Sequence, residues 1–257
     1  MLIDSHCHLD RLDLDKLGGD LDSILASAEE QGVSHMLCVS ITLEDFPRVL
    51  QLAQRYSQVY ASVGVHPNEP DCHDPDASEL VKLAADPNII AIGETGLDYF
   101  RSDGDLEWQR QRFRQHIRAA RQCGKPLIIH TRDAEQDTLD IMREEQASQA
   151  RGVMHCFTGS QAMAEAALAE DFYISFSGIV TFNNARDLQA IAAGVPANRL
   201  LIETDAPYLT PVPLRGKPNQ PGNVRLVAEK LASLRNVSPE SIMEQTSANF
   251  FDLFNAA

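Results

Sequence analysis

The chain has 257 residues, 44% of them apolar and 23% charged, a balance that supplies a sizeable core and excludes global disorder. Its formal net charge of -15, from 37 acids against 22 bases, excludes a grip on duplex nucleic acid through a broad basic surface, so any contact with a phosphate backbone has to be local or metal-assisted. The five cysteines are odd in number, scattered and without a Cys-x-x-Cys pair, which speaks against a disulfide framework and a cysteine zinc site.

In chain order, Met1-Leu2-Ile3 runs straight into a histidine pair with no basic and apolar leader, and no later run is long enough to span a bilayer. A cytoplasmic protein without membrane contact is expected. Short β-branched, apolar runs predict strands at 2–8, 35–39, 59–65, 89–94, 126–130, 153–155, 172–176 and 200–203. Stretches of helical period separate them at 20–31, 43–56, 77–85, 106–123, 134–145, 161–170 and 185–193. Helices at 223–234 and 239–254 follow, the last announced by Ser238 before Pro239. Eight strands alternating with helices in a chain of this length predict the α/β class and one (β/α)8 TIM-like barrel of about 250 residues. No Pro/Gly/Ser-rich linker divides it, so residues 1–257 are expected to form one domain.

Barrels of this type gather their reactive groups at the C-terminal ends of the strands. Those ends carry His6 and His8 on the first strand, His66 after the third, Glu94 on the fourth, His130 on the fifth, His155 on the sixth and Asp205 after the eighth. Five of the eight histidines therefore stand at strand ends. In an extended strand His6 and His8 share a face and Cys7 points away. Four imidazoles (His6, His8, His130, His155) and two carboxylates (Glu94, Asp205) are too many for one tetrahedral ion and about right for two ions sharing a carboxylate. Glu94 is the expected bridge, and Asp205 the group that completes the first site from a strand lying beside the first. Glu203 alternates with Asp205 and is a candidate support behind the ligands, Cys156 is expected to face away from the metals, and His35, His73 and His116 read as packing or surface residues. Arg132 at the mouth, and Arg215 and Lys217 in the Pro/Gly-rich loop 211–221, are candidate contacts for an anionic substrate.

The motifs Asp4-Ser5-His6-Cys7-His8-Leu9-Asp10, Gly93-Glu94-Thr95-Gly96-Leu97-Asp98, His130-Thr131-Arg132-Asp133-Ala134, His155-Cys156-Phe157-Thr158-Gly159, Tyr173-Ile174-Ser175-Phe176-Ser177-Gly178 and Glu203-Thr204-Asp205-Ala206-Pro207-Tyr208-Leu209 together resemble, in order, those of TatD-type metal-dependent hydrolases of the amidohydrolase superfamily. The resemblance implies a metallo-dependent hydrolase barrel with two divalent ions (zinc, manganese, magnesium, nickel or cobalt). His6, His8, Glu94 and Asp205 would hold one ion; Glu94, His130 and His155 would hold the other. It further implies that His66 faces the substrate; Asn68 stands where many members carry a further histidine. The activity it implies is a deoxyribonuclease, read as a 3'-directed exonuclease with Asp205 and Glu94 as the catalytic carboxylates and DNA ends as partner. Hydrolysis of a small ester, amide or phosphoester by the same ions is the alternative, and a metal-binding protein without turnover the second. A monomer without an obligatory protein partner is the default.

Overall fold

The computed structural model describes residues 1–256. Eight parallel strands follow one another around a single sheet in sequence order: β1 (Leu2–Cys7), β2 (Val33–Cys38), β3 (Val59–Val63), β4 (Ile89–Asp98), β5 (Leu127–Arg132), β6 (Gly152–Met154), β7 (Phe172–Phe176) and β8 (Leu200–Ile202). The helices are α1 (Leu14–Leu17), α2 (Leu21–Glu30), α3 (Phe46–Arg55), α4 (Ala77–Leu83), α5 (Glu107–Cys123), α6 (Glu135–Glu144), α7 (Gln161–Ala169), α8 (Arg186–Gly194), α9 (Val224–Arg235) and α10 (Pro239–Phe254). This is the expected TIM-like (β/α)8 barrel. Among the described residues no helix is long and apolar enough to cross a membrane.

Local chemistry sets the helix ends. Asp20, Asp76, Ser160 and Ser238 each accept a hydrogen bond from the backbone N–H three residues on, which satisfies a donor the first helical turn cannot use. Strands are buried on both faces, so they read as continuous apolar runs such as Leu127-Ile128-Ile129. One face packs against the helices. The other joins Ile3, Leu37, Ile128, Val153, Tyr173 and Leu201 to Phe250, Leu253 and Phe254 of α10 in a separate cluster inside the barrel.

The structure departs from the sequence reading at three places. β4 runs to Asp98 instead of stopping at Glu94. β8 stops at Ile202, so Glu203 as well as Asp205 lies in the loop beyond it. The seam between β8 and β1 is not a ladder but a set of cross-links: Asp4 Oδ1 accepts from Thr204 N at 2.8 Å, Asp4 Oδ2 accepts from Thr204 Oγ1 at 2.5 Å, and Ser5 Oγ donates to Ile202 O at 2.9 Å. Asp205 N then donates to His6 O at 2.9 Å and His8 N to Ala206 O at 2.8 Å. The buried Asp4 side chain and these two backbone bonds thus take the place of a strand ladder and bring Asp205 beside the first-strand histidines.

Candidate metal centre

Two irregularities aim side chains into the barrel mouth. Ile92 pairs with Leu127 and Thr95 with Ile129, so β4 uses three residues where β5 uses two, and the extra residue falls at Gly93-Glu94. β1 does the same against β2 between Asp4 and Cys7, around His6. Such bulges re-aim a side chain and break the simple alternation. Close approach of β4 to β5 also needs Gly96, whose φ is +135° and where a Cβ would lie 1.9 Å from His130 O.

Around the mouth, His6 Nε2 lies 3.3 Å from His8 Nε2, 3.4 Å from Glu94 Oε2 and 3.7 Å from Asp205 Oδ1. His8 Nε2 lies 3.4 Å from Asp205 Oδ1 and 3.9 Å from Glu94 Oε2. The other Glu94 oxygen, Oε1, is 3.1 Å from His130 Nδ1 and 3.3 Å from both His155 Nε2 and His66 Nε2. Ligands at about 2.1 Å from a tetrahedral ion stand about 3.4 Å from one another. His6, His8 and Asp205 stand close to that spacing, Glu94 Oε2 approaches the same two rings at 3.4 and 3.9 Å, and Glu94 turns its other oxygen to the His130/His155 pair. The donor set fits divalent cations, since nitrogen lone pairs and carboxylate oxygens otherwise confront one another in a buried space.

Hydrogen bonding behind the rings sorts the histidines. His8 Nδ1 lies 3.0 Å from Val39 O, His130 Nε2 lies 3.1 Å from Asp98 Oδ2, and His155 Nδ1 lies 2.8 Å from Glu203 Oε1. On neutral rings the oxygen acceptors behind His8 and His130 hold the proton on the far nitrogen and leave a lone pair facing the centre, while His155 meets Glu203 as a close contact outside hydrogen-bond geometry. His66 has the opposite arrangement. Its Nδ1 accepts from Asn68 N at 3.0 Å, so the neutral ring carries its proton on Nε2, toward Glu94 and the cavity.

Electrostatics agree with anionic carboxylates. Burial alone would raise Glu94, yet the His155 and His66 rings hold it well below the usual range. Asp205 is likewise raised by burial and pulled below its ordinary value by His8, His155 and His6. Asp98 is lowered despite burial, by His130 and Asn68.

The structure brings His8, Glu94, His130, His155, Asp205 and His66 together on one cavity of about 650 Å³, whose lining also includes Arg101, Arg132 and Tyr208, with His6 buried just behind it against Glu94 and Asp205. Arg215 and Lys217 are exposed and do not line it; the Arg215 guanidinium instead covers the Phe182 ring at 3.9 Å. Cys156 does not face away as alternation suggests. β6 ends at Met154, Cys156 adopts φ +44°, and its Sγ, 3.1 Å from Ser177 Oγ, turns toward the cavity. Glu203, 1% exposed, accepts from Cys156 N at 2.8 Å and Ser175 Oγ at 2.6 Å besides contacting His155. Asp98 was not singled out from the sequence. Its signal was its place four residues after Glu94, on the same strand face once the strand is extended. His35, His73 and His116 stay outside the cavity, stacked on Tyr60, paired with Glu79 and buried in α5, respectively.

Comparison with known proteins gives concordant results. Residues 3–255 match the family described as TatD related DNase. The chain is 47% identical over 255 residues to the uncharacterized metal-dependent hydrolase YcfH of Escherichia coli (strain K12), covering 99% of this chain and 96% of that one. It is 32% identical over 241 residues to the 3'-5' ssDNA/RNA exonuclease TatD of Salmonella typhimurium (strain LT2), covering 91% and 93%. Among solved structures, YJJV, a TatD homolog from Escherichia coli K12, superposes with a TM-score of 0.90 at 28% identity, covering 100% of this chain and 98% of that one.

Proposed function

The chain belongs to the TatD family of metal-dependent hydrolases, and from that premise we propose that it is a phosphodiesterase that removes nucleotides from the 3' ends of single-stranded nucleic acid. The observation that carries the reading is the convergence of ring nitrogens on Glu94 and Asp205: His8 and His130 are backed through their far nitrogens by Val39 O and Asp98 Oδ2, whereas His66 Nδ1 accepts from Asn68 N and leaves Nε2 as its donor. His6, His8, Glu94 and Asp205 would hold one ion, and Glu94, His130 and His155 a second. A set this rich in nitrogen suits zinc, manganese, nickel or cobalt better than magnesium. Ions held there would supply Lewis-acid polarisation of the ester and acidify water in the cavity.

The remaining work falls to side chains. The Asp205 side chain is 13% exposed against 4% for Glu94, so it is the carboxylate open to the cavity and the base that accepts a proton from attacking water. His66 Nε2–H and the Arg132 guanidinium donate toward phosphoryl oxygens as negative charge builds on them. Arg101 and Arg132 line the mouth and neither has a carboxylate partner among the described residues, which suits an anionic ester more than a neutral amide. Support for the 3' polarity comes from the named activity of the Salmonella relative.

The test is a time course on 3'-labelled and 5'-labelled single-stranded DNA with magnesium, manganese or zinc, run beside His130→Ala and Asp205→Asn. Metal-dependent release of 3' mononucleotides that both substitutions abolish is the expected result. No cleavage by a protein shown to hold two ions would replace the reading with hydrolysis of a small ester or amide.

A further inference from the structure

We propose that Phe100, with the Arg132 guanidinium stacked on it, is a nucleobase platform at the rim of the cavity, and that it selects single-stranded nucleic-acid ends over small phosphodiesters. The inference rests on the phosphodiesterase reading above and adds what holds the rest of the substrate.

Phe100 is 60% exposed, a large apolar ring left mostly in water. The Arg132 Cζ lies 3.7 Å from the ring centroid, and Arg132 itself lines the cavity. A planar cation on an exposed ring beside a phosphoester site forms a layered surface on which a base of any sequence can stack, because every base has a π face. Position matters as much as composition. Asp98 Oδ1 accepts from the backbone N–H of Phe100 and of Arg101, each at 3.1 Å, while its Oδ2 is 3.1 Å from His130 Nε2 and accepts from Asn68 Nδ2 at 2.8 Å. One buried carboxylate therefore ties the platform to the His130 side of the centre. Tyr208, from the loop after β8 and 50% exposed, lines the cavity itself, its ring centroid 6.0 Å from that of His8, whereas Phe100 stands one step outside, joined to the lining through Arg132. Two exposed aromatics at a cationic mouth match an oligonucleotide end, whereas a small diester would use neither.

The experiment compares wild type, Phe100→Ala and Phe100→Leu on a short single-stranded oligonucleotide, on the same oligonucleotide with abasic terminal positions, and on bis(p-nitrophenyl) phosphate. Removing the ring should lower the ratio of oligonucleotide kcat/KM to small-diester kcat/KM about tenfold or more, chiefly through KM, the order set by one base–aromatic stack. Abasic termini should cost the wild type a similar factor and cost Phe100→Ala nothing further. Quenching of 2-aminopurine at the oligonucleotide terminus by chelator-treated protein should be lost in Phe100→Ala. A ratio within twofold of wild type in both variants, equal additive losses, or unquenched 2-aminopurine with the wild type would overturn the platform. Wild type that hydrolyses neither ester class removes the phosphodiesterase reading, and the quenching measurement then still decides the platform.

Discussion

Acid should weaken the fold through His116, and the size of the effect follows from its surroundings. The ring is fully buried in α5; its Nε2 accepts from Val65 N at 3.0 Å and its Nδ1 donates to Arg112 O at 2.8 Å. A second ring proton would point at the Val65 N–H, and burial opposes the charge, so the imidazole is lowered from 6.5 to about 4. The unfolded chain takes up the proton near 6.5, so between those values it binds more protons than the folded one, and stability falls as pH falls. The gap of about 2.5 pH units at about 1.4 kcal/mol each puts the loss at about 3 kcal/mol by pH 4, with the full contribution present above pH 6.5. Val65 precedes His66, so this bond also holds the turn that presents the His66 donor. The assay is urea unfolding of wild type and His116→Gln, both stripped with chelator, at intervals from pH 7 to 4. Gln cannot titrate, so the stability difference between the two should change by about 3 kcal/mol in favour of the variant as pH drops. Parallel stability curves would refute the reasoning.

Glu203→Ala should weaken manganese binding about tenfold to a hundredfold by calorimetric titration of stripped protein, with Glu203→Gln intermediate, because the carboxylate orients His155; equal affinities would detach Glu203 from the centre. Gly96→Ala, which sets a Cβ against His130 O at φ +135°, should cost about 3 kcal/mol or more in urea unfolding, and an undiminished midpoint would show that the strands can part without penalty. Chelation of protein first saturated at about 100 times Kd should remove about 2.7 kcal/mol, seen as a fall of about 5–10 °C in Tm. An identical Tm before and after would mean that no ion is held.

The eight-strand barrel was legible in the sequence because its signals are local: apolar runs buried on both faces, helical period between them, and capping residues such as Ser238 before Pro239. The cluster of histidines and carboxylates was legible too, since the fold class brings all strand ends to one mouth. Other features depended on which atoms meet across the barrel. A one-residue bulge in β4 aims Glu94, and the Asp4–Thr204 cross-link, with two backbone bonds beside it, replaces a ladder at the seam and delivers Asp205. Cys156 escapes alternation because alternation holds only inside a strand, and β6 has already ended. Arg215 and Lys217 carry the right charge but lie on the outside of a long loop whose course no local pattern specifies. The identity of candidate ligands was thus written in residue type and strand position, whereas the atoms behind the rings were decided across space, Val39 O behind His8, Asp98 behind His130 and Glu203 against His155; only His66 takes its partner locally, from the backbone of Asn68 two residues on.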